Sequence, residues 1–504
     1  MHTPVFIGLD CGTSVIKAAA FDASGTELAT GESRMETSSP APGQMEFHPG
    51  DLWKASQEAL RSLCAKLDPA RIAALGITGA GNGLTLADAG GTPLRPGILA
   101  VDNRASGLSD LSVSSRPING QCQWPGQTLQ LLRWFAANEP ETLAQAKKIF
   151  VIKDYVKWQL TGEYVSDYSE QSKIGLLDLE TRTASDRLLG IFGLADIARN
   201  LPPLSESCAV IGRVATAAAA LTGLPAGLPV VNGLADIDAS ALGSGACQAG
   251  HLSVVAGTWS INQFFTSSPD CRSDIFGTSL HAVSGLREEL EASASSTANL
   301  TWFVREACRD LETEAASQGL SVYDLVNREV AAVPPCSTPV FFHPYLFGSN
   351  TEPNARAGFY GLAGWQERRH LLAALFEGVV FSHAVHIERL LAGGRAATEV
   401  FLSGGASRSR VWSQMFADAL GLPLSVPAAR EVGALGAAMC ASVGHGSHPD
   451  LPAAAAAMCR SERRHEPNPT LSAAYSQRYA TFKEITELMK PVWRAIEKSS
   501  ATHQ

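Results

Sequence analysis

The sequence predicts an α/β protein of two domains, each a mixed sheet with helical cover. Three observations carry that expectation. At 504 residues the chain exceeds the length at which one hydrophobic core stops growing. Its first eighty residues read as hairpins, then a helix, then an apolar strand. The opening pattern, a strand broken by glycine and hydroxyl residues before a second strand, returns more loosely in "HLSVVAGTWSI", as two related halves would produce.

"VFIGLD" and "VIKAAAFDASG" read as two strands around a tight turn, and "LATGESR" adds a third. The polar stretch "SSPAPGQMEFHPGD" leads into "LWKASQEALRSLCAKL", apolar at three and four spacing, and then into the strand "IAALGITG". A dinucleotide fingerprint would open directly into a helix, so this order favours a mixed sheet over that unit. Residues 126–162 read as the longest helical tract, broken at "NEPE" and stopped at Gly162; they are expected to be a helical insertion rather than sheet core. "ASDRLLGIFGLADIAR" supplies a further helical cap, and "VATAAAALTGLP" with "LPVVNGLAD" a helix followed by a strand at Val230 and Val231. The boundary falls within 246–250, giving domains 1–247 and 248–504. The second half continues with helices over 297–308 and 371–391, the strand "EVFLSGG", and helices in "SRVWSQMFADALG", "REVGALGAAMCAS" and 451–459. The tail "YSQRYATFKEITELMKPVWRAIEKS" reads as an amphipathic helix packed on its own domain.

With 45% hydrophobic and 18% charged residues the chain has the composition of a compact fold, not of a disordered one. Its 40 basic residues against 49 acidic ones, net -9, offer no general attraction for nucleic acid or an anionic membrane; no basic patch with interleaved aromatics points to nucleic acid either. The start lacks a basic stretch followed by a long apolar run, so neither a leader nor a membrane span is expected, and the cytoplasm is the expected compartment. The ten cysteines stand singly, without a Cys-x-x-Cys pair, so neither a disulfide framework nor a zinc site is expected.

Asp10, Gly12, Thr13, Ser14 and Lys17 put a carboxylate, flexible backbone and hydroxyl donors at a strand end. That is the chemistry for holding a hydrated metal ion, through Asp10, and a terminal phosphate. A plain hairpin turn with a surface lysine fits the same letters. "AGTWS", with Gly257 and Thr258, offers a second turn whose backbone amides would suit an anion without help from cationic side chains. No "GxxxxGK[ST]" occurs, so the P-loop solution is absent. "VVNGLADIDASALGSG" sets Asp236 between an apolar strand and a small-residue helix, where it could take a proton from a substrate hydroxyl; Asp236 or Asp238 could instead cap that helix. Asn82 in "GAGNGLTL", with Asp102, Asn103 and Arg104 in "GILAVDNRA", combines the donors and acceptors that polyol recognition requires, an internal ion pair being the alternative for Arg104. Gly404, Gly405, Ala406 and Ser407 in "FLSGGASRSRVWSQ" let a base or ribose approach the backbone, unless they are only a turn.

Taken in order, "GLDCGTSVIKAAAFD", "GTPLRPGILAVDNRA", "KDYVKWQLTGEYVSDYSEQSKIGLLDL", "FFHPYLFGSNTEPNARAGFYGL", "FLSGGASRSRVWSQMFADALGLPL" and "REVGALGAAMCAS" resemble successive segments of the FGGY carbohydrate kinases over essentially the whole chain. The resemblance implies an α/β, two-domain actin-like ATPase (ribonuclease H-like) fold with an interdomain cleft, sugar held mainly by the first domain and ATP mainly by the second. It implies ATP and Mg2+ as cofactors, Asp10 as the residue that helps place the metal and phosphoryl group, and Asp236 as the catalytic base and sugar ligand. Gly12, Thr13, Ser14 and Lys17 match the first phosphate motif, Gly257 and Thr258 the second, and Gly404 to Ser407 the adenosine motif. Substrate contacts fall on Asn82, Asp102 and Arg104.

Three departures bear on the sugar and the nucleotide domain. Ala80, Gly81 and Asn82 stand where many relatives have Gln-Met-His, "ILAVDNR" lacks a tryptophan, and "FGSNTEPNARAG" differs from the usual Gly-Glu-Arg form. The expected activity is therefore an ATP-dependent kinase for the terminal hydroxyl of a ketopentose, with xylulose first and L-xylulose or ribulose next. Erythritol, glycerol, fuculose or gluconate kinase activity is the second reading, and a non-catalytic sugar or ATP sensor the third. A homodimer is set slightly above a monomer.

Overall fold

The computed structural model describes residues 3–268 and 270–501. The chain forms two compact units. One runs through Ala249 and adds Phe265–Glu289 and Ala428–Arg460; the other holds Gly250–Phe264, Leu290–Pro427 and the residues from Ser461 onward. The chain thus leaves the first unit between Ala249 and Gly250, beside the expected 247/248 division, and then returns to it twice.

In the first unit a six-stranded sheet runs in the order Val210–Arg213, Pro229–Val231, Ile72–Gly79, Val5–Cys11, Val15–Asp22, Glu27–Arg34. Val5–Cys11 pairs antiparallel with Val15–Asp22, which sets Asp10 opposite Lys17, and parallel with Ile72–Gly79, which sets Asp10 opposite Thr78. On one face lies the helix Pro49–Cys64, started by His48, whose ring nitrogen accepts the Gly50 amide, and by Pro49 in its first turn. Leu52, Leu60 and Leu63 of that helix join Val5, Ile7, Leu9 and Ile77 in one buried cluster; full burial of each such side chain stabilises by about 1.5–3 kcal/mol. On the other face lies Val432–Gly444, a helix made almost wholly of small residues. It can lie so close because Gly8 and Gly76 have no side chain: a Cβ on either would stand 1.8 Å from the carbonyl oxygen of Ala434 or Ala437. An alanine at Gly8 would push helix and sheet apart.

The second unit repeats the opening motif. His251–Ala256 and Ser260–Thr266 form an antiparallel hairpin with Ala256 opposite Ser260, and His251–Ala256 pairs parallel with Glu399–Ser403, as Val5–Cys11 does with Ile72–Gly79. Leu424–Pro427 and Ser461–His465 extend the sheet. The helix Arg368–Leu390 runs through the core, with Phe376 stacked on Trp412 at 3.9 Å and the Trp412 indole donating to the Phe376 carbonyl. Among the described residues this is the one helix long and apolar enough to cross a membrane, and 83% of its apolar window is buried inside the protein.

The tract 126–162 departs from its expected form. It holds Thr128–Asn138, Pro140–Gln145 and Ile152–Thr161 as helices, with the strand Lys148–Phe150 between them, paired to Thr85–Ala87. The last helix is not an insertion: Ile152, Tyr155, Val156 and Leu160 enter the same buried cluster as the strands at Val5 and Ile77. The β-branched run around Ile149 becomes a strand because a partner edge is available, which periodicity along the chain does not register. The longest helix is the terminal one, Pro469–Ala501, of 33 residues. Leu451–Met458 buries Leu451, Ala454, Ala455 and Met458 on one side.

Candidate active site

In the first unit the site grows from two element ends. Asp10 is the penultimate residue of its strand, half-buried, followed by the turn Gly12 to Ser14. Gly12 is needed for the turn itself, since a Cβ there would meet the Val15 carbonyl oxygen at 2.8 Å. Cys11 and Ser14 are tied at either side, their carbonyls accepting the amides of Ala80 and Met35. Asp236 opens the helix Asp236–Ser244, after a strand that ends at Val231 and turns through Gly233, at φ +83°.

The cap at that helix is Ala235, with no side-chain hydrogen bond, so neither aspartate serves as the cap. Asp236 Oδ1 accepts the Ile237 amide at 2.8 Å, and the Gly81 amide also donates to the carboxylate. Asp238 is fully buried, bound to the Lys173 ammonium at 3.0 Å; the same ammonium meets Glu288 at 2.7 Å.

Electrostatically, Asp236 acts on Asp10. Burial first, and the Asp236 carboxylate second, push Asp10 up to about 7, against the pull of Lys17. Burial likewise raises Asp236, while the Ile237 and Gly81 amides hold it down. A third carboxylate stands close by. Glu170 is wholly buried, with no hydrogen-bond partner for either oxygen among the described residues, and burial, Asp167 and Asp236 push it up to about 8 against the attraction of Lys153. A Cβ on Gly81 would lie 3.4 Å from Glu170 Oε1 and 3.6 Å from Asp236 Oδ1. Below these groups Lys153 bridges Asp154 and Asp167 at 2.7 Å each, and Lys157 binds Asp154 and the Asn232 side chain, an ionic lattice with every charge paired.

The remaining first-unit residues behave differently. Lys17 bonds Glu431 at 2.8 Å and stays partly exposed. Asn82 adopts φ +62°, and its side-chain oxygen accepts the Thr128 amide at 3.3 Å, which stabilises the 80–83 loop next to Asp236. Asp102 is fully buried and accepts from the Met45 amide, the Arg104 amide and the Arg104 guanidinium; that guanidinium also reaches Glu46 at 2.7 Å and lies over the Trp134 ring. The internal ion pair is the arrangement adopted by Arg104.

In the second unit the turn 257–259 and the 404–407 segment come together. A Cβ on Gly404 would meet the Ala256 carbonyl at 2.7 Å and the Gly257 nitrogen at 2.9 Å, so the bare backbone of one turn rests on the other. Gly404 and Gly405 are exposed, Ala406 is fully buried, and the Ser407 hydroxyl donates back to the Gly404 carbonyl at 2.8 Å. The Gly257 carbonyl accepts both the Thr297 amide, at 2.9 Å, and the Thr297 hydroxyl, at 2.7 Å; the Thr258 carbonyl accepts the Ser296 amide at 3.2 Å. A trans peptide points its N–H opposite to its C=O, so the Thr258 and Trp259 amides face away from that support, the orientation an anion requires.

Sequence reasoning missed Glu170, Lys153, Gly433 and Glu431. The lysines and aspartate of "KDYVK" were in view, but their complete burial was not. Gly433 is the second residue of the small-residue helix, and a Cβ on it would stand 2.5 Å from Asp10 Oδ2.

Two family models match: the N-terminal domain of the FGGY family of carbohydrate kinases over residues 5–243, and its C-terminal domain over 252–445. The chain is 32% identical to the L-xylulose/3-keto-L-gulonate kinase of Escherichia coli K12, over 96% of this chain and 97% of that one. It is also 32% identical to a probable L-xylulose kinase of Pasteurella multocida, over 96% and 99%. Among solved structures it is similar to the xylulose kinase of Rhodospirillum rubrum, with a TM-score of 0.87 at 27% identity, covering 97% of this chain and 100% of that one.

Proposed function

We propose, for a chain that belongs to the FGGY family of carbohydrate kinases and is an ATP-dependent sugar kinase, that its acceptor is a ketopentose, xylulose, phosphorylated on the terminal hydroxyl to give the 5-phosphate and ADP. The observation that carries the chemistry is the half-buried Asp236 carboxylate at a helix start, its proton affinity raised by burial, beside a second carboxylate at Asp10. In this reading Asp236 takes the proton as the acceptor O–H breaks. The acceptor oxygen then bonds to the γ phosphorus as the bond from that phosphorus to the bridging β–γ oxygen breaks, and ADP carries off the electron pair.

Kinases of this family use ATP with magnesium. The first unit suits such an ion: Asp10 has a close like-charged neighbour and a proton affinity that a cation would lower, and magnesium takes one or two carboxylates while keeping water and phosphate oxygens. Among the described residues no three carboxylate, histidine or cysteine side chains converge as an all-protein cage. Asp10 is the residue that would hold the ion, which when bound neutralises charge on the phosphate oxygens. The Thr258 and Trp259 amides would receive phosphate oxygens in the second unit, and Gly404 and Gly405 leave room for adenosine. Gly12, Thr13 and Ser14 would approach the transferred group. The repeated hairpin with a parallel third strand supports reading both units as ribonuclease H-like cores of the actin-like type.

The xylulose reading rests on the names of the relatives, and two of them favour the L form as a second reading. Asn82, placed beside Asp236 by its loop, is the proposed determinant of the acceptor pocket, with Asp102 and Arg104 contributing to its wall. An ADP-release assay with ATP and magnesium against D- and L-xylulose, D- and L-ribulose, erythritol, glycerol, gluconate and fuculose tests the reading. Dominant turnover of either xylulose supports it; dominant turnover of an alditol, acid or deoxy sugar replaces the acceptor, and silence across the panel favours the sensor.

A further inference from the structure

Behind the 257–259 turn lies a set of six buried polar side chains: Ser260, Asn262, Ser293, Ser296, His383 and His386, none more than 2% exposed. The two histidines stand on the core helix Arg368–Leu390, and their directions of hydrogen bonding follow from Asn262. The Asn262 side-chain oxygen can only accept, so His383 Nδ1, 2.8 Å away, carries the hydrogen and donates to it. His383 Nε2 is then an acceptor, and the Ser296 hydroxyl, at 2.9 Å, donates to it. The Asn262 amide nitrogen can only donate, so His386 Nδ1, at 3.0 Å, accepts, leaving His386 Nε2–H to donate to the Ser293 hydroxyl at 3.1 Å. Each ring is neutral, with its tautomer set by one amide.

Of the six, His383 touches the turn's support from both sides. Its Nδ1 lies 3.1 Å from the hydroxyl of Ser260, the residue that ends the turn. Its Nε2 holds Ser296, and the backbone of Ser296 and Thr297 binds the Thr258 and Gly257 carbonyls. A polar network this buried is expensive unless every member is satisfied, and here each of the six has a hydrogen-bond partner while Ser296 also ties the network to the turn.

We infer that His383 is a positioning residue for the nucleotide: anchored through its Nδ1–H on Asn262 and holding the Ser296 hydroxyl through Nε2, it fixes the Gly257 and Thr258 carbonyls and so aims the Thr258 and Trp259 amides at the phosphates of ATP. The inference rests on reading 257–259 as a phosphate turn. Burial holds both histidines far below their usual range, at about 3, so the ring stays uncharged at every pH where the enzyme would be assayed.

The test uses the full chain, with ATP binding measured by calorimetry without acceptor and KM values for ATP and acceptor measured by ADP release. His383→Phe keeps the ring's bulk and removes both nitrogens; it is expected to weaken ATP binding about tenfold, or 1.4 kcal/mol, and to leave the acceptor KM within about twofold. His383→Gln, whose side-chain oxygen reaches the Nε2 position, is expected to restore most of the ATP affinity. Ser296→Ala, a small change that keeps the fold if the phenylalanine variant does not, is expected to weaken ATP by about threefold. An unchanged ATP affinity in His383→Phe, or failure of His383→Gln to differ from it, overturns the inference. Gly257→Ala separates the two claims, because its Cβ has no neighbour nearer than 3.9 Å and would stand where a phosphate approaches. Unchanged ATP affinity in that variant overturns the phosphate turn and the positioning role with it; lost affinity there beside normal affinity in His383→Phe overturns the positioning role alone.

Discussion

The turn at residues 10–14 is surrounded by ionisable side chains, whereas the turn at 257–259 is backed by neutral ones. Around the first stand Asp10, Asp236, Glu431 and Lys17, with Glu170 near Asp236; Asp236 and Glu431 raise the proton affinity of Asp10, and Asp236 raises that of Glu170. Around the second stand two neutral histidines, an asparagine and hydroxyls, which orient backbone dipoles. Related topology therefore carries two chemistries: one turn suits a cation and a proton acceptor, the other an anion. The lesson is that a glycine and hydroxyl pattern marks where a ligand approaches the backbone, while the side chains behind the turn decide the sign of the charge it receives.

The largest effect expected from breaking this contrast is at Asp236. Asp236→Asn is expected to lower kcat by roughly a thousandfold while circular dichroism and thermal midpoint stay near those of the parent protein. Turnover within tenfold of the parent would remove Asp236 from the role of base.

Next come the two glycines. Gly12→Ala drives a Cβ into the Val15 carbonyl at 2.8 Å, so it is expected to lower both stability and kcat, by roughly 1–3 kcal/mol in thermal unfolding. Gly257→Ala meets nothing within 3.9 Å and is expected to weaken ATP alone. Equal losses of stability in the two variants would erase the distinction between a turn that needs glycine for its backbone and one that needs it for its ligand.

A pH series sharpens the electrostatic side. Glu170 is pushed up to about 8 in the folded protein from an ordinary carboxyl value of 4.5, so the folded state binds its proton more tightly than the unfolded chain does. Stability from this group is complete below about pH 4 and is lost as pH rises toward 8. Glu170→Gln does not titrate, so its thermal midpoint is expected to exceed the parent's at pH 8 to 9, by roughly 1–2 kcal/mol in unfolding free energy, and to fall together with it near pH 4. A constant offset at all pH values would show that the carboxylate does not titrate in this range.

The smallest effect is expected at Lys17. Its bond to Glu431 is partly exposed, so Lys17→Met is expected to change stability by less than about 1 kcal/mol, and, with the charge already paired, the ATP KM by less than about threefold. A tenfold rise in that KM would place the ammonium on a phosphate instead.

Much of the site was legible because it lies at element ends, where strand patterns stop at Asp10, Val231, Ala256 and Ser403 and leave unusual letters behind. The hairpins, the helix after them and the return of the motif in the second half follow from alternation and turn residues alone. Glu170 could not be read in this way: an acid in "SDYSEQSK" has the letters of an exposed helix face, and only the folded chain shuts it from water among the charges of Lys153, Asp167 and Asp236. The same holds for Asp102 and Arg104, which look like ligands in sequence and are joined by hydrogen bonds to each other and to residue 45, more than fifty positions away.

By itself the sequence determined the two-part α/β architecture, the two glycine turns and the acids placed at strand and helix ends, since local periodicity and backbone freedom are properties of neighbouring residues. The tertiary structure alone decided that Val432–Gly444 returns to the first unit against Gly8 and Gly76. It also decided which carboxylates are left without partners and that His383 supports a turn more than 120 residues before it. These depend on close approach and desolvation between segments remote in the chain, which no local pattern encodes.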